Sequence, residues 1–113
     1  VPVGARWRVK AITAPLVTSS AVANRFPNLI VDDGAKTVFQ VGTDQAQTAS
    51  TTTTYSIAEG IGLEGNSDNV VLGTLPVDLR LPAGFRLRSL TTALDAGDNW
   101  GAPQILVEEW IEP

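Results

Sequence analysis

Apolar and charged residues alternate through residues 77–92, VDLRLPAGFRLRSLTT. Val77, Leu79, Leu81, Phe85, Leu87 and Ser89 hold the odd positions; Asp78, Arg80, Arg86 and Arg88 hold the even ones. A period of two is the pattern of a strand with one buried and one wet face. Only Pro82-Ala83-Gly84 interrupts it. Proline presets the backbone for the first corner of a tight turn, and glycine accepts the left-handed conformation that follows. Two strands should therefore meet there, in a short hairpin loop or a sharp corner, with leucines inward and arginines outward.

The rest of the chain reads the same way. Residues 3–13, VGARWRVKAIT, put Trp7, Val9 and Ala11 on one face and Arg6, Arg8 and Lys10 on the other. Pro15 should break this strand, with a second one over residues 16–22 and a loop at 24–28. Asp32-Asp33-Gly34-Ala35 between two apolar runs predicts a hairpin joining residues 29–32 to 36–41. The threonine-rich run 46–57 favours a strand with at least one polar face. Residues 58–69, rich in Gly, Asn, Ser and Asp, read as a long contact loop. Short strands follow at 70–74, 77–81 and 85–94, then a turn at Asp95–Asn99, then a closing strand at 105–111. No stretch has convincing helical periodicity. The expected fold is all-β: one domain over residues 1–113, a two-sheet antiparallel sandwich, jelly-roll-like, of about eight or nine short strands. Trp7, Val9, Leu29, Val31, Phe39, Leu79, Leu81, Phe85, Leu87, Ile105 and Val107 are its expected core.

Composition narrows the chemistry. At 113 residues the chain is long enough for one core. It contains no Cys and no His, which removes disulfides, thiolate and imidazole metal sites, and the usual nucleophile–base pairs. No run of about 18 apolar residues is present to span a membrane as a helix. The start, VPVGARWRV, lacks the apolar core of a signal peptide. Met is absent altogether, so the initiator was removed ahead of Val1 or a leading segment is missing. A net charge of −4 makes bulk attraction to nucleic acid or anionic lipid weak. Six of the eight basic residues fall in two clusters, Arg6, Arg8 and Lys10, then Arg80, Arg86 and Arg88, while Glu108, Glu109 and Glu112 lie near the end. Neighbouring strands would pair them, each exposed pair contributing about 0–1 kcal/mol.

Two groups of residues invite a chemical reading and do not sustain it. Asp95 and Asp98 are a carboxylate pair on paper, but Asp95-Ala96-Gly97-Asp98-Asn99 has the composition of a turn whose side chains bond their own backbone. The spacing also fails to match the EF-hand calcium loop. Gly60-Ile61-Gly62-Leu63-Glu64-Gly65 is glycine-rich but lacks the lysine of a phosphate loop. No catalytic residue, metal ligand or cofactor is expected. Trp100, after a polar turn, and Trp110, beside Glu109, each read first as a Trp half-buried at the sandwich rim, with a sugar platform or a protein interface as the alternatives.

The order of motifs resembles small all-β virion proteins of tailed bacteriophages. The matching pieces are VPVGARWRVKAITAPLVTSSAVANR, VDDGAKTVFQV, LPVDLRLPAGFRLRSLTTALDAGDNW and ILVEEWIE, which together cover most of the chain. The LPAGFRL corner is also similar, as fold analogy, to trimeric jelly rolls of the tumour-necrosis-factor type. The resemblance implies a structural subunit, most simply a capsid decoration (cement) protein. Its partners would be the major capsid protein and copies of itself, as a homotrimer, with no nucleic acid and no membrane. It would sit on the outer surface of the capsid after assembly in the bacterial cytoplasm. A neck, tail or fibre component, or a carbohydrate-binding module, is the alternative. Gly60, Leu63, Asn66, Asp68, Trp100 and Trp110 are the expected interface residues.

Overall fold

The computed structural model describes residues 1–43, 45–60, 64–67 and 69–111, and of 64–67 the backbone alone. The described residues form ten strands and no helix: β1 (Ala5–Val17), β2 (Phe26–Asp32), β3 (Thr37–Gly42), β4 (Thr52–Glu59), β5 (Glu64–Ser67), β6 (Val70–Leu75), β7 (Arg80–Leu81), β8 (Arg86–Thr92), β9 (Asn99–Trp100) and β10 (Gln104–Ile111). They make two sheets, a seven-stranded one running β10-β1-β4-β6-β5 with β7 and β9 also on β1, and a three-stranded one, β3-β2-β8. The fold is a β-sandwich. Every pairing is antiparallel except β4 with β6.

β1 is the spine. Trp7 lies opposite both Glu109 of β10 and Leu81 of β7, so these two strands occupy its opposite edges. Ile12 lies between Ile105 of β10 and Ile57 of β4, and Leu16 between Thr53 of β4 and Trp100 of β9. One edge of β1 therefore carries β10 then β9, and the other β7 then β4. Pro15 does not break the strand as expected. It faces the gap where the β10 pairing has stopped at Thr13 and that of β9 starts at Leu16, so its missing N–H interrupts no ladder. Its carbonyl accepts from the Gly101 N–H at 2.8 Å, and a Cβ on Gly101 would stand 2.6 Å from the Pro15 ring. The second strand expected over 16–22 is absent. β1 ends at Val17, and Thr18 turns away to bond Thr48 and Thr51.

A bulge corrects the face assignment of Ala11. Between Val9 and Ala11 the β1–β10 register slips, leaving Lys10 without an opposite residue. Parity reverses there. Ile12 turns inward opposite the buried Ile57, and Ala11 turns outward beside Leu106.

The main core joins Val9, Leu81, Ile57 and Leu75 of the large sheet to Leu29, Val31 and Val41 of the small one. Leu79, Phe85, Leu87 and Val107 pack on it half-buried, so the parity of the central strands is as predicted. A second cluster, Leu16, Tyr55 and Val71 with Trp100, fills the far end. The threonine-rich strand begins at Thr52 and not at residue 46, and it has the expected polar face, with Thr53, Tyr55 and Ile57 buried and Thr52, Thr54 and Ser56 more open. Three expected core residues are corrected. Phe39 shares the face of Val31 but stands on the outermost strand β3, which has a neighbour on one side only, and is exposed. Ile105 is exposed for the same reason on the outermost β10, and Trp7 is half-buried.

The 32–37 hairpin forms as read, with Gly34 at φ +96° and the Asp33 carboxylate accepting the N–H groups of Ala35 and Lys36. The expected loop at 24–28 and long loop at 58–69 are each corrected in part. Phe26, Pro27 and Asn28 pair with β8, β4 runs on through Glu59, and residues 64–67 are strand β5 against β6. Residues 61–63 and 68 lie outside the described residues.

Pro82–Gly84 is a corner and not a hairpin. Leu81 pairs with Trp7 in the large sheet while Arg86 pairs with Asp32 in the small one, so the turn hands the chain between sheets. The Phe85 N–H bonds the Pro82 carbonyl at 3.3 Å, and Gly84 holds φ +87°. A Cβ at Gly84 would meet nothing within 4 Å, so Gly84→Ala carries a conformational cost alone. It should lower stability by about 1 kcal/mol in urea unfolding; an unchanged midpoint would contradict the left-handed corner.

Candidate functional site

Two outermost strands, β8 and β10, flank one open side of the sandwich. Between them lies a cleft of about 230 Å³ whose floor is Ile12, Tyr55 and Ile57 and whose walls include Leu87 and Ser89 on one side and Ile105 on the other. A second hollow of about 320 Å³ continues along the same side beside Trp7, Phe85 and Ile105. Neither β8 nor β10 carries a further strand on its outer edge among the described residues. Exposed apolar side chains collect on both: Leu90 at 50%, Leu106 at 60% and Ile111 at 76% exposed, with Ile105 and Trp110 also open. Unpaired strand edges with apolar side chains are templates for another chain. Leu90 and Leu106 are not among the residues that the sequence pattern marks as an interface. The signal was in QILVEEWI, where Ile105, Leu106 and Val107 are consecutive and so place apolar groups on both faces.

Of the expected interface residues, Trp100 and Trp110 lie at opposite ends of β1. Trp100 sits beside Leu16 on β9, edge-on to Tyr55 with ring centroids 5.7 Å apart. It lines the cleft, and its Nε1 is buried without a partner. Trp110 lies at the opposite end of β1, opposite Arg6, with the Arg80 guanidinium 5.4 Å from its ring centre. Gly60 is exposed at φ +76° just after β4. Asn66 belongs to β5, while Leu63 and Asp68 lie outside the described residues.

Charges are paired on the outer faces. Glu108 meets Lys10 at 3.1 Å and Arg8 at 3.5 Å, as the clustered charges predict, and Arg8 also reaches Glu59 at 2.8 Å. Glu109 accepts from the Trp7 indole at 3.0 Å. Arg86 and Arg88 find an unexpected partner: both bond the buried Asp32 carboxylate, at 2.8 and 2.7 Å. The Arg86 guanidinium beside it holds Asp32 well below the usual carboxylate range, against the opposing effect of burial. Both guanidinium groups remain about half exposed. Glu112 lies outside the described residues.

Asp95 and Asp98 are the turn the sequence predicts, and more. The Asp98 carboxylate takes both forks of Arg25, at 2.9 and 3.1 Å, together with the N–H groups of Ser19 and Asp95. Asp95 accepts from the Ser19 hydroxyl and the Gly97 N–H, each within 2.9 Å. Burial pushes the Asp98 carboxyl up, but Arg25 and the two N–H groups outweigh it and hold it at about 2. Asp95 is lowered chiefly by the Gly97 N–H. Two carboxylates both held ionised and fully bonded offer no proton donor at neutral pH, so the pair serves as a structural lock.

That lock gives a pH dependence with a definite sign. The unfolded chain takes up protons on these aspartates near pH 4, whereas in the folded chain Asp98 resists until about pH 2 and Asp95 is lowered in the same direction. Stability contributed by the lowered pKa values is present above pH 4 and lost as pH falls through that window. The melting temperature should hold from pH 7 to about 5 and then drop steeply between about 4 and 2. Circular dichroism melts would show it, and a melting temperature flat down to pH 2 would overturn it.

Family models, curated proteins and solved structures were compared with the chain, and none matches.

Proposed function

We propose that this protein is a structural, non-enzymatic subunit of a tailed-phage virion, a capsid decoration protein that binds the major capsid protein shell from outside and associates with copies of itself, as a trimer. The observation that carries this reading is the open sandwich side, where two unpaired strand edges present Leu90, Leu106 and Ile111 to solvent. A domain working alone has no use for such edges, and natural proteins normally protect them. A rigid scaffold with paired surface charges and a buried Arg25–Asp98 lock suits a part that is held in place and performs no turnover. Gly60, Leu63, Asn66 and Asp68 are the proposed capsid contact, with Trp100 on the cleft rim.

The test is co-sedimentation with purified capsids that lack their decoration. The expected result is saturable binding at hundreds of copies per particle. A dozen or fewer copies would mean a neck or tail position instead. Protein that stays in the supernatant at micromolar concentration would sink the virion reading. Because residues 64–67 are a strand on β6, deleting 60–67 would damage the sheet, and substitutions at Gly60 and Asn66 are the better probes of the contact.

A further inference from the structure

We infer that copies of this chain join by antiparallel pairing of β8 of one copy with β10 of the next, in a register that sets Leu90 opposite Leu106, Arg88 opposite Glu108, and Arg86 opposite Trp110. This rests on the reading of the protein as a self-associating subunit and names the surface it uses.

The match comes from the faces the two strands already show. On β8, Leu87 and Ser89 lie opposite the core residues Val31 and Leu29, so Arg86, Arg88 and Leu90 share the outer face. On β10, Val107 lies opposite the buried Val9 and Ile105 lines the cleft, so Leu106, Glu108 and Trp110 share the outer face. Antiparallel pairing that keeps outer face with outer face sets apolar against apolar, cation against anion, and cation against an indole. Each of these side chains is at least partly exposed in the single chain. Shifting the register by two residues one way puts Arg88 opposite Leu106, and the other way puts Leu90 opposite Glu108. On the inner face the same register stacks Ser89 on Val107 and Thr91 on Ile105, extending the apolar cleft across the junction. Leu87 opposite Glu109 is the one poor pair, and Glu109 is already engaged by Trp7.

The two edges are different surfaces of one chain, so the contact is heterologous. Repeated with a rotation that closes, it makes a ring in which β8 and β10 of every copy are paired, and a trimer is one such ring. Main-chain hydrogen bonds supply the adhesion and the alternating side chains the specificity. Self-assembly also answers the hazard of two bare edges, since it covers them.

The native chain has no cysteine, so the register can be read without background. Leu90→Cys and Leu106→Cys proteins are made separately, mixed and oxidised. A disulfide-linked pair at twice the 11.9 kDa chain mass is expected from the mixture and from neither variant alone. Cross-linking of Leu90→Cys with Trp110→Cys in its place would show a parallel contact or an antiparallel one shifted by four residues, and either would overturn the register. Absence of both products, or a native protein that is monomeric in light scattering at 100 μM, would overturn the interface. As a second variant, Leu106→Glu alters an exposed side chain and should keep its circular dichroism spectrum while the mass falls to that of one chain; an undiminished oligomer would count against the contact. Capsid co-sedimentation separates this inference from the functional reading. Cross-linked copies that ignore capsids keep the interface and lose the decoration role, whereas oligomers that bind capsids without the 90–106 disulfide do the reverse.

Discussion

Arg25→Met should lower the unfolding free energy by about 3–5 kcal/mol, the range for removing one partner of a buried ion pair. Arg25 is fully buried, and so is the Asp98 side chain it meets. Its guanidinium holds both Asp98 oxygens and the Ala23 carbonyl, and its backbone bonds Gln47 in both directions. Three chain segments, around 18–25, 47–51 and 95–98, are tied at this one group. Taking it away leaves a carboxylate in the interior with two N–H partners and no counter-charge. Arg25→Lys should recover little, since a point charge cannot fill a two-pronged site. Arg25→Met with Asp98→Asn should recover part of the loss, because an amide needs no counter-charge. Urea unfolding reads all three. An Arg25→Met midpoint within about 1 kcal/mol of the native protein would show that the lock does not hold these loops to the sandwich.

Leu81→Ala should cost about 2–5 kcal/mol. Leu81 belongs to a strand of two residues, yet it is 2% exposed and packs with Val9, Leu29, Val31, Val41, Ile57 and Leu75 between the sheets. Its neighbours come from both sheets, so collapse around the lost side chain would require the sheets themselves to move. Leu106→Ala on the exposed face of β10 should change the stability of the single chain by no more than about 0.5 kcal/mol. Chemical denaturation under monomeric conditions compares the two. Equal costs would mean that Leu81 is not core or that β10 is covered in the isolated chain.

Part of the exposed β8 and β10 edges is legible in the sequence and part is not. Trp110 was singled out as an aromatic at the chain end, and it does lie on the exposed edge strand. Leu106 is not legible, because a leucine in a closing strand reads as core until its neighbours are known. The charges divide in the same way. Arg8 and Lys10 meet Glu108 as their clustering foretold, but Arg86 and Arg88 turn to Asp32, which the sequence placed only in a hairpin.

By itself the sequence determined what depends on neighbours a few residues apart. Alternation marked most of the strands and set the inward face of Leu79, Leu81, Phe85 and Leu87, but the strand expected over 77–81 is only Arg80–Leu81: Val77 and Asp78 form a turn, with Asp78 at φ +65° and Val77 exposed. Asp-Gly set the 32–37 hairpin, Pro-x-Gly set the left-handed corner at Gly84, and Asp-x-Gly-Asp set the 95–99 turn, because each is governed by backbone sterics or by side chains bonding their own backbone. The tertiary structure decided what depends on pairing across the chain. The slip at Lys10 turned Ile12 inward, the corner became a bridge between sheets, and Pro15 was accommodated where one strand pairing ends before the next begins. Arg25 was buried because Asp98, far along the chain, closes over it. Among the described residues β8 and β10 are bare edges because strand order fixes which strands lie outermost, and strand order follows from contacts between distant residues that no local pattern records.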